Sequence, residues 1–337
     1  MRIAFASGKG GAGKTTVAAS LAVVWPRPCL IVDADVEAPN LHLFLQPDLD
    51  AAQAVYLTVP ELDAEKCTAC GACADMCAYK AIAMLGGKPT IFADMCHGCG
   101  GCFEVCAPAA LNRGQRELGS LQWGRWNLNP AREQVLLMGK SRVGEAMSPP
   151  LLRALERAFA STARKGAADG PDILIDSPPG VSCPAMTTAR MADALVLVAE
   201  STPFGMYDFK LAHAAFKKLG LSLAVVMNRA GMPGNEAGDA ALERYCAAEG
   251  LPLLARLPFD IQAAEGYARG NLPPAGTDAN AQAWRGRFES LQQALCRWIG
   301  GQPWTDLADS ARQPETAEQA RAGRFCDGQG AAEARHA

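Results

Sequence analysis

The stretch SGKGGAGKTT, Ser7 to Thr16, constrains this chain's architecture more than any other ten residues. It holds a G-x-x-x-x-G-K-T phosphate loop, Gly8 to Thr15, directly after the apolar run RIAFA and at the head of the helix-like segment KTTVAASLAVVW. Such a loop works at the junction of a strand and a helix, where backbone N–H groups left uncovered at glycines converge on phosphate oxygens. PRPCLIVDAD then reads as a second strand ending in two aspartates. Strand, glycine loop, helix and strand make a βαβ unit. The expected fold class is therefore α/β, a mostly parallel sheet with helices on both faces.

Within the loop, Gly8, Gly10, Gly11 and Gly13, with the small Ala12 among them, permit close backbone approach to phosphate. Lys14 is placed to reach the β and γ phosphates, Thr15 to ligate Mg²⁺, and Thr16 to continue the cradle. One lysine suffices for a phosphate loop, yet Lys9 supplies a second.

The remaining chain is longer than one such unit needs. At 337 residues, and about 150 per domain, roughly two domains are expected. With 49% hydrophobic and 20% charged residues and a net charge of −3, bulk electrostatics offers nothing to nucleic acid. The first apolar run is four residues, and no run approaches the about 18 that suggest a membrane span. A cytoplasmic protein without a membrane anchor is expected. Thirteen cysteines in that setting point to metal ligation rather than disulfides.

After Pro60 the pattern changes to a Cys- and Gly-rich stretch over residues 67–106, and from about Ser148 the α/β rhythm resumes. SPPLLRALERAFASTAR reads as a helix; DILIDSPPG, ALVLVAES, LAVVMNRAG and PLLARLPFD read as strands. Trp284, Phe288, Leu291, Leu295 and Trp298 form one apolar helical stripe, expected to pack on the sheet. The expected organisation is an α/β domain begun in 1–57, an insert over 58–112, a connecting segment and the rest of the domain over 113–300, and a disordered or loosely helical tail over 301–337. Within the connecting segment, QWGRWNLN is expected to belong to a strand pair joining the two modules.

K-G-G-x-G-K-T-T resembles the deviant phosphate loop of the MinD/ParA/Mrp and nitrogenase-iron-protein class of P-loop ATPases. The resemblance implies ATP and Mg²⁺ as ligands, and a homodimer in which Lys9 crosses the interface to the other subunit's phosphates. VDADVEAPNL resembles that class's first switch, which implies that Asp35 positions the attacking water and Asp33 lies near the metal. IDSPPG resembles the second switch, with Asp176 as a water-mediated Mg²⁺ partner and Gly180 as a γ-phosphate sensor. Asn228 matches the residue that reads the adenine edge, and Pro258 to Asp260 the loop lining the base. Lys9, Lys14 and Asp35 are the catalytic candidates.

CTACGACADMC and CHGCGGCFEVC are both C-x-x-C-x-x-C-x-x-x-C, and each cysteine of the first has a counterpart 29 positions on. This duplication is the bacterial two-cluster ferredoxin pattern, in which three close thiolates cap one cubane and the fourth serves the other. Cys67, Cys70, Cys73 and Cys106 are assigned to one 4Fe–4S cluster, and Cys96, Cys99, Cys102 and Cys77 to the second. Neither motif ends in C-P: Ala78 follows Cys77, and Pro108 comes one place late after Cys106. Zinc takes paired C-x-x-C spacings and fits two quartets poorly. Cys29, Cys246 and Cys296 lie in apolar contexts and read as core, while Cys326 falls in the tail. Cys183 follows Asp176 by seven residues, as one cluster ligand does in the nitrogenase iron protein. Without a second candidate beside it, a structural or interface-proximal role is expected.

Together the motifs resemble P-loop ATPases of the MinD superfamily that carry an inserted ferredoxin module. The leading expectation is an ATPase whose nucleotide-gated dimer controls electron transfer to an unknown redox partner. The alternatives are a cluster carrier of the Mrp type, serving an apo-protein acceptor, and a MinD- or ParA-like positioning ATPase with redox-sensing clusters.

Overall fold

The structure is a computed structural model that describes residues 1–127, 134–145, 147–163 and 171–301. In chain order the strands are β1 Arg2–Ala6, β2 Cys29–Asp33, β3 Asp48–Leu49, β4 Gln53–Leu62, β5 Ile82–Leu85, β6 Lys88–Ile91, β7 Leu111–Trp126, β8 Gln134–Ser141, β9 Asp172–Asp176, β10 Ala194–Glu200, β11 Ser222–Ala230 and β12 Leu253–Pro258. The α-helices are α1 Lys14–Val24, α2 Leu41–Leu45, α3 Ala72–Met76, α4 Gly101–Glu104, α5 Pro149–Ala163, α6 Cys183–Ala189, α7 Pro203–Lys217, α8 Glu236–Glu249, α9 Ile261–Ala268 and α10 Ala279–Ile299.

The main sheet runs β12-β11-β10-β1-β9-β2-β8-β7-β3, with β4 also on β7. From β12 to β8 every pairing is parallel. RIAFA, CLIVD, DILID and ALVLVAE are buried almost throughout, as strands covered on both faces must be. Alternation sorts their side chains between two cores. Ile3 and Phe5 pack with α1 and α10; Ala4 and Ala6 pack with α5, α6 and α7. The stripe on α10 is seated as expected, with Phe288, Leu291 and Leu295 at most 1% exposed. Asp278 caps that helix by accepting from the Ala281 N–H at 2.7 Å. The expected tail lies, beyond Gly301, outside the described residues, and Cys326 with it.

The connecting segment contributes a long antiparallel ribbon. β4 pairs with β7 from Gln53↔Leu121 to Leu62↔Leu111, and β7 pairs with β8. The ladder therefore runs through residues 57–58 and 112–113, where sequence reasoning put the module boundaries. A strand pair formed through backbone hydrogen bonds has no composition change to mark its middle. Gly119, at φ 156° and with no room for a side chain against the Lys140 carbonyl, lets β7 lie close to β8 beside a register shift at Val55/Tyr56.

Residues 63–110 sit at the ribbon's end and bear the imprint of the duplication. Positive φ recurs at Ala69 and Gly98, at Gly71 and Gly100, and at Lys80 and Ala109, each pair separated by the cysteine repeat. Gly71 and Gly100 begin the short helices α3 and α4, and the β5–β6 hairpin lies between the two halves. Of its hydrophobic side chains, this unit buries only Cys73, Ala81, Ile82 and Ala110. That is very little apolar core for a unit of its length.

Candidate functional site

The loop Ser7–Gly13 leaves the carboxyl end of β1, between β9 and β10, where open α/β sheets place their ligands. Gly13 at φ 94° turns the chain into α1, and Asn228 Nδ2 faces its Cα, leaving no room for a side chain. Gly8 is equally hemmed in by the Asp208 carbonyl of α7. Gly10 and Gly11 are exposed with open space around them, while Ala12 is buried. Thr16 is half-buried in the first turn of α1.

Under the loop lies a dense group of charges. Lys14 Nζ is 3.6 Å from Asp35 and 3.8 Å from Asp176. The Thr15 hydroxyl donates to Asp176 Oδ2 at 2.6 Å, and Asp176 Oδ1 is buried without a hydrogen-bond partner. Asp33 accepts from the backbone N–H groups of Asp35 (3.2 Å), Asn40 (2.9 Å) and Leu41 (2.9 Å), which folds the segment after β2 back over the sheet end. Burial, and then the charge of Asp176, raise the Asp33 carboxyl well above the usual range despite those donors. Burial likewise raises Asp176, against the pull of Lys14 and Thr15. Asp35, half-buried, is raised by burial and drawn down by Lys14. Three carboxyl groups, two of them fully buried, share one ammonium here, so the pocket favours their protonation or the arrival of a further cation.

The second-switch residues close over the loop: Gly180, at φ 78°, donates its N–H to the Ser7 carbonyl at 2.9 Å. Asn228 Nδ2 donates to the Ala12 carbonyl at 2.9 Å, so its amide grips the phosphate loop in this state. Pro258 ends β12, and the next residue, Phe259, donates to the Ala230 carbonyl at 2.8 Å. Asp260 accepts from Gln262 N–H and Trp284 Nε1–H.

Lys9 does not reach into empty solvent. Its Nζ is 2.9 Å from Glu200 Oε2, whose other oxygen is 3.3 Å from Arg229. Arg229 also donates to the Gly11 carbonyl at 3.0 Å. Sequence reasoning missed Glu200 and Arg229. The available signal was an acid ending a parallel strand beside the loop strand, and a cation directly after Asn228.

Three cysteines of the first motif lie beside one of the second. Cys67, Cys70 and Cys73 line one cavity together with Cys106 of the other motif and Pro108. In the second half the Cys102 thiol is raised by burial and then by Cys96 and Cys99. The backbone N–H groups of Ala69 and Gly98 donate to Cys67 and Cys96 sulfur, and those of Ala81 and Ala110 donate to Cys77 and Cys106 sulfur. Among the described residues, no three His, Cys, Asp or Glu side chains close around a point as a single ion would require. Cys29 and Cys246 are buried, while Cys183 is exposed at the start of α6.

A glycine loop, the lysine that ends it and two buried strand-end aspartates define a P-loop nucleotide-binding protein of the parallel α/β class. Residues 3–273 match the CobQ/CobB/MinD/ParA nucleotide binding domain, and the chain belongs to that family. An uncharacterized protein of Methanocaldococcus jannaschii is 33% identical over 235 residues, 69% of this chain and 79% of that one. A second from the same organism is 26% identical over 274 residues, 80% and 90% of the two chains. Among solved structures, the septum site-determining protein MinD of Pyrococcus horikoshii, in complex with Mg-ADP, superposes with a TM-score of 0.52 at 21% identity, covering 89% of this chain and 97% of that one. The Pyrococcus furiosus cell division ATPase MinD gives 0.50 at 23% identity, covering 87% and 98%. These likenesses show the shared fold. Among the described residues no helix is long and apolar enough to cross a membrane.

Proposed function

We propose that this chain is an ATPase in which ATP and Mg²⁺ at the Gly8–Thr16 loop drive closure of a homodimer across Lys9, and that this cycle gates electron transfer through two 4Fe–4S clusters in the 63–110 unit. The observation that carries the reading is the cavity formed by three cysteines of one motif and the fourth of the other.

The residues present fit the groups invoked. A 4Fe–4S cube takes one thiolate at each of four corners, so its ligands need not close on one point, and the cavity offers four cysteines. Peptide N–H groups already point at four of the sulfurs, as they do around clusters they tune. The thin apolar core leaves the unit in need of a staple. Cys67, Cys70, Cys73 and Cys106 would hold one cluster, and Cys77, Cys96, Cys99 and Cys102 the other; bound there, the clusters supply one-electron transfer. For Mg²⁺, the orphaned Asp176 oxygen beside the Thr15 hydroxyl offers the donors, with Asp33 behind them. The metal supplies neutralisation of phosphate charge.

The protein's own part follows from the charge group. Lys14 turns from Asp35 and Asp176 to the β and γ phosphates, which frees the Asp35 carboxylate to orient the attacking water. The Gly180 N–H exchanges the Ser7 carbonyl for phosphate oxygen. Lys9 leaves Glu200 for the phosphates of the other subunit, supplying a cation in trans. Asn228 and the Pro258–Asp260 turn border the base.

The exposure of Cys70 and Cys99 lends support to a second reading, a cluster carrier. Iron and sulfide analysis of oxygen-free protein, followed by EPR with and without ATP, tests both. About eight irons per chain and a spectrum that responds to ATP are expected. Far less iron ends the first reading, and rapid ATP-dependent transfer of iron and sulfide to an apo-acceptor replaces it with the second.

A further inference from the structure

One short segment touches both the nucleotide pocket and the cysteine unit. At the pocket end it lies on the residues that follow Asp35. The Ser141 N–H donates to the Val36 carbonyl at 2.7 Å. Gly139 is packed so tightly on Val36 that an added Cβ would lie 2.7 Å from its side chain. The Ser148 hydroxyl donates to Glu37 at 3.3 Å. At the other end, the segment engages, among the described residues, the second cysteine motif and not the first. Glu145 forms an ion pair with Arg116 of β7, the side chains 3% and 7% exposed, and Arg116 Nη2 donates to the Cys96 carbonyl at 3.2 Å. Arg142 reaches Asp94 at 3.3 Å. Met147 packs with Ala93 and Cys96 against Leu57, Val59 and Leu118.

We infer that Arg116 and Glu145 are positioning residues that couple the Asp35–Glu37 segment to Cys96, so that nucleotide is felt at the second cysteine quartet and not at the first. The inference deepens the proposed function and rests on it. A buried ion pair that also holds a main-chain carbonyl has little freedom: when Val36 and Glu37 move, Ser141 and Ser148 move with them, and Glu145 draws Arg116 and the Cys96 loop along. Among the described residues the first quartet has no such tether. Its cavity is lined by Leu62, residues 67–73, Pro89, Cys106, Pro108, Ala110 and Leu111, none of which touches the segment through a hydrogen bond or ion pair described above. A switch of this kind requires an element with two arrangements whose balance both sites bias, and the polar contacts from Val36 to Cys96 are the element assigned to that part.

The test is hydrogen exchange on the full-length, anaerobically purified protein, with and without Mg²⁺ and a non-hydrolysable ATP analogue. Wild type is expected to gain protection at residues 8–16, to change at 93–98 and to stay unchanged at 67–72. In Glu145→Gln, which keeps shape and an acceptor but loses the charge, protection at 8–16 persists and the change at 93–98 is lost. Arg142→Ala, a solvent-exposed substitution that leaves the buried pair intact, reduces the change at 93–98 without altering iron content, so a folding defect in the first variant does not decide the matter. Protection at 8–16 with equal responses in both quartets, or with a response at 93–98 unaffected by both variants, overturns the inference and leaves the functional proposal standing. No protection at 8–16 overturns both.

Discussion

Replacing Glu200 by Gln tests whether Lys9 is held in reserve. In the isolated chain the Lys9 ammonium lies 2.9 Å from Glu200, with side chains 30% and 9% exposed. A lysine that must cross to another subunit has first to leave this partner. Exposed ion pairs contribute about 0.2–1 kcal/mol; the limited exposure of Glu200 places this one near the top of that range, about 1 kcal/mol. Two lysines are released per dimer, about 2 kcal/mol in all, and at about 1.4 kcal/mol per tenfold the Glu200→Gln dimer should form roughly 30-fold more tightly with ATP analogue. Arg229, 41% exposed, loses the same partner but stays solvated and keeps the Gly11 carbonyl. Sedimentation equilibrium with and without analogue measures the effect. In a Lys9→Ala background the substitution should do nothing, because the competing cation is gone. Unchanged or weaker dimerisation in Glu200→Gln, or an equal effect in both backgrounds, would refute the reasoning.

Asp176→Asn should cost most of the Mg²⁺-dependent nucleotide affinity, since it removes the carboxylate that receives Thr15. It should also leave the ligand-free protein as stable or more so, because a buried, poorly compensated charge goes with it; titration calorimetry and thermal melts read the two effects. The raised carboxyls of Asp33 and Asp176 bind protons in the folded state that the unfolded chain has released. The stability of ligand-free protein should therefore fall as pH climbs above about 4 and through the raised folded values. Mg²⁺ with ATP analogue should flatten that slope in melts across the same range, and a stability that rises with pH there would contradict it. Gly13→Ala places a Cβ against Asn228 at a left-handed position. It should destabilise the chain by about 1–3 kcal/mol and abolish nucleotide binding, whereas Gly10→Ala, facing open space, should leave the denaturation midpoint unchanged.

What the sequence disclosed and what it withheld divide along a physical line. The parallel sheet was legible because strands buried on both faces must be nearly all apolar: RIAFA, CLIVD, DILID and ALVLVAE declare themselves without any partner. The stripe on α10 and the cysteine repeat were legible for the same reason, each being a local pattern whose period is set by its own geometry. The ribbon was less so. LNRGQRELGSLQWGRW alternates weakly, carries three glycines and is stabilised by register against β4 and β8, information that lies in neither strand alone. Polar pairs were the least legible. Lys9 was singled out by its motif, but Glu200 is distant in sequence and meets it only because β10 lies next to β1. Arg116 and Glu145 look like surface residues of a charged segment until the fold buries both. Burial is what turns such pairs from solvated charges into constraints, since a partner lost inside the protein leaves an uncompensated charge behind. The residues that link the two halves of this molecule are therefore those whose role exists only once the ribbon has formed, and a sequence pattern has no period by which to announce them.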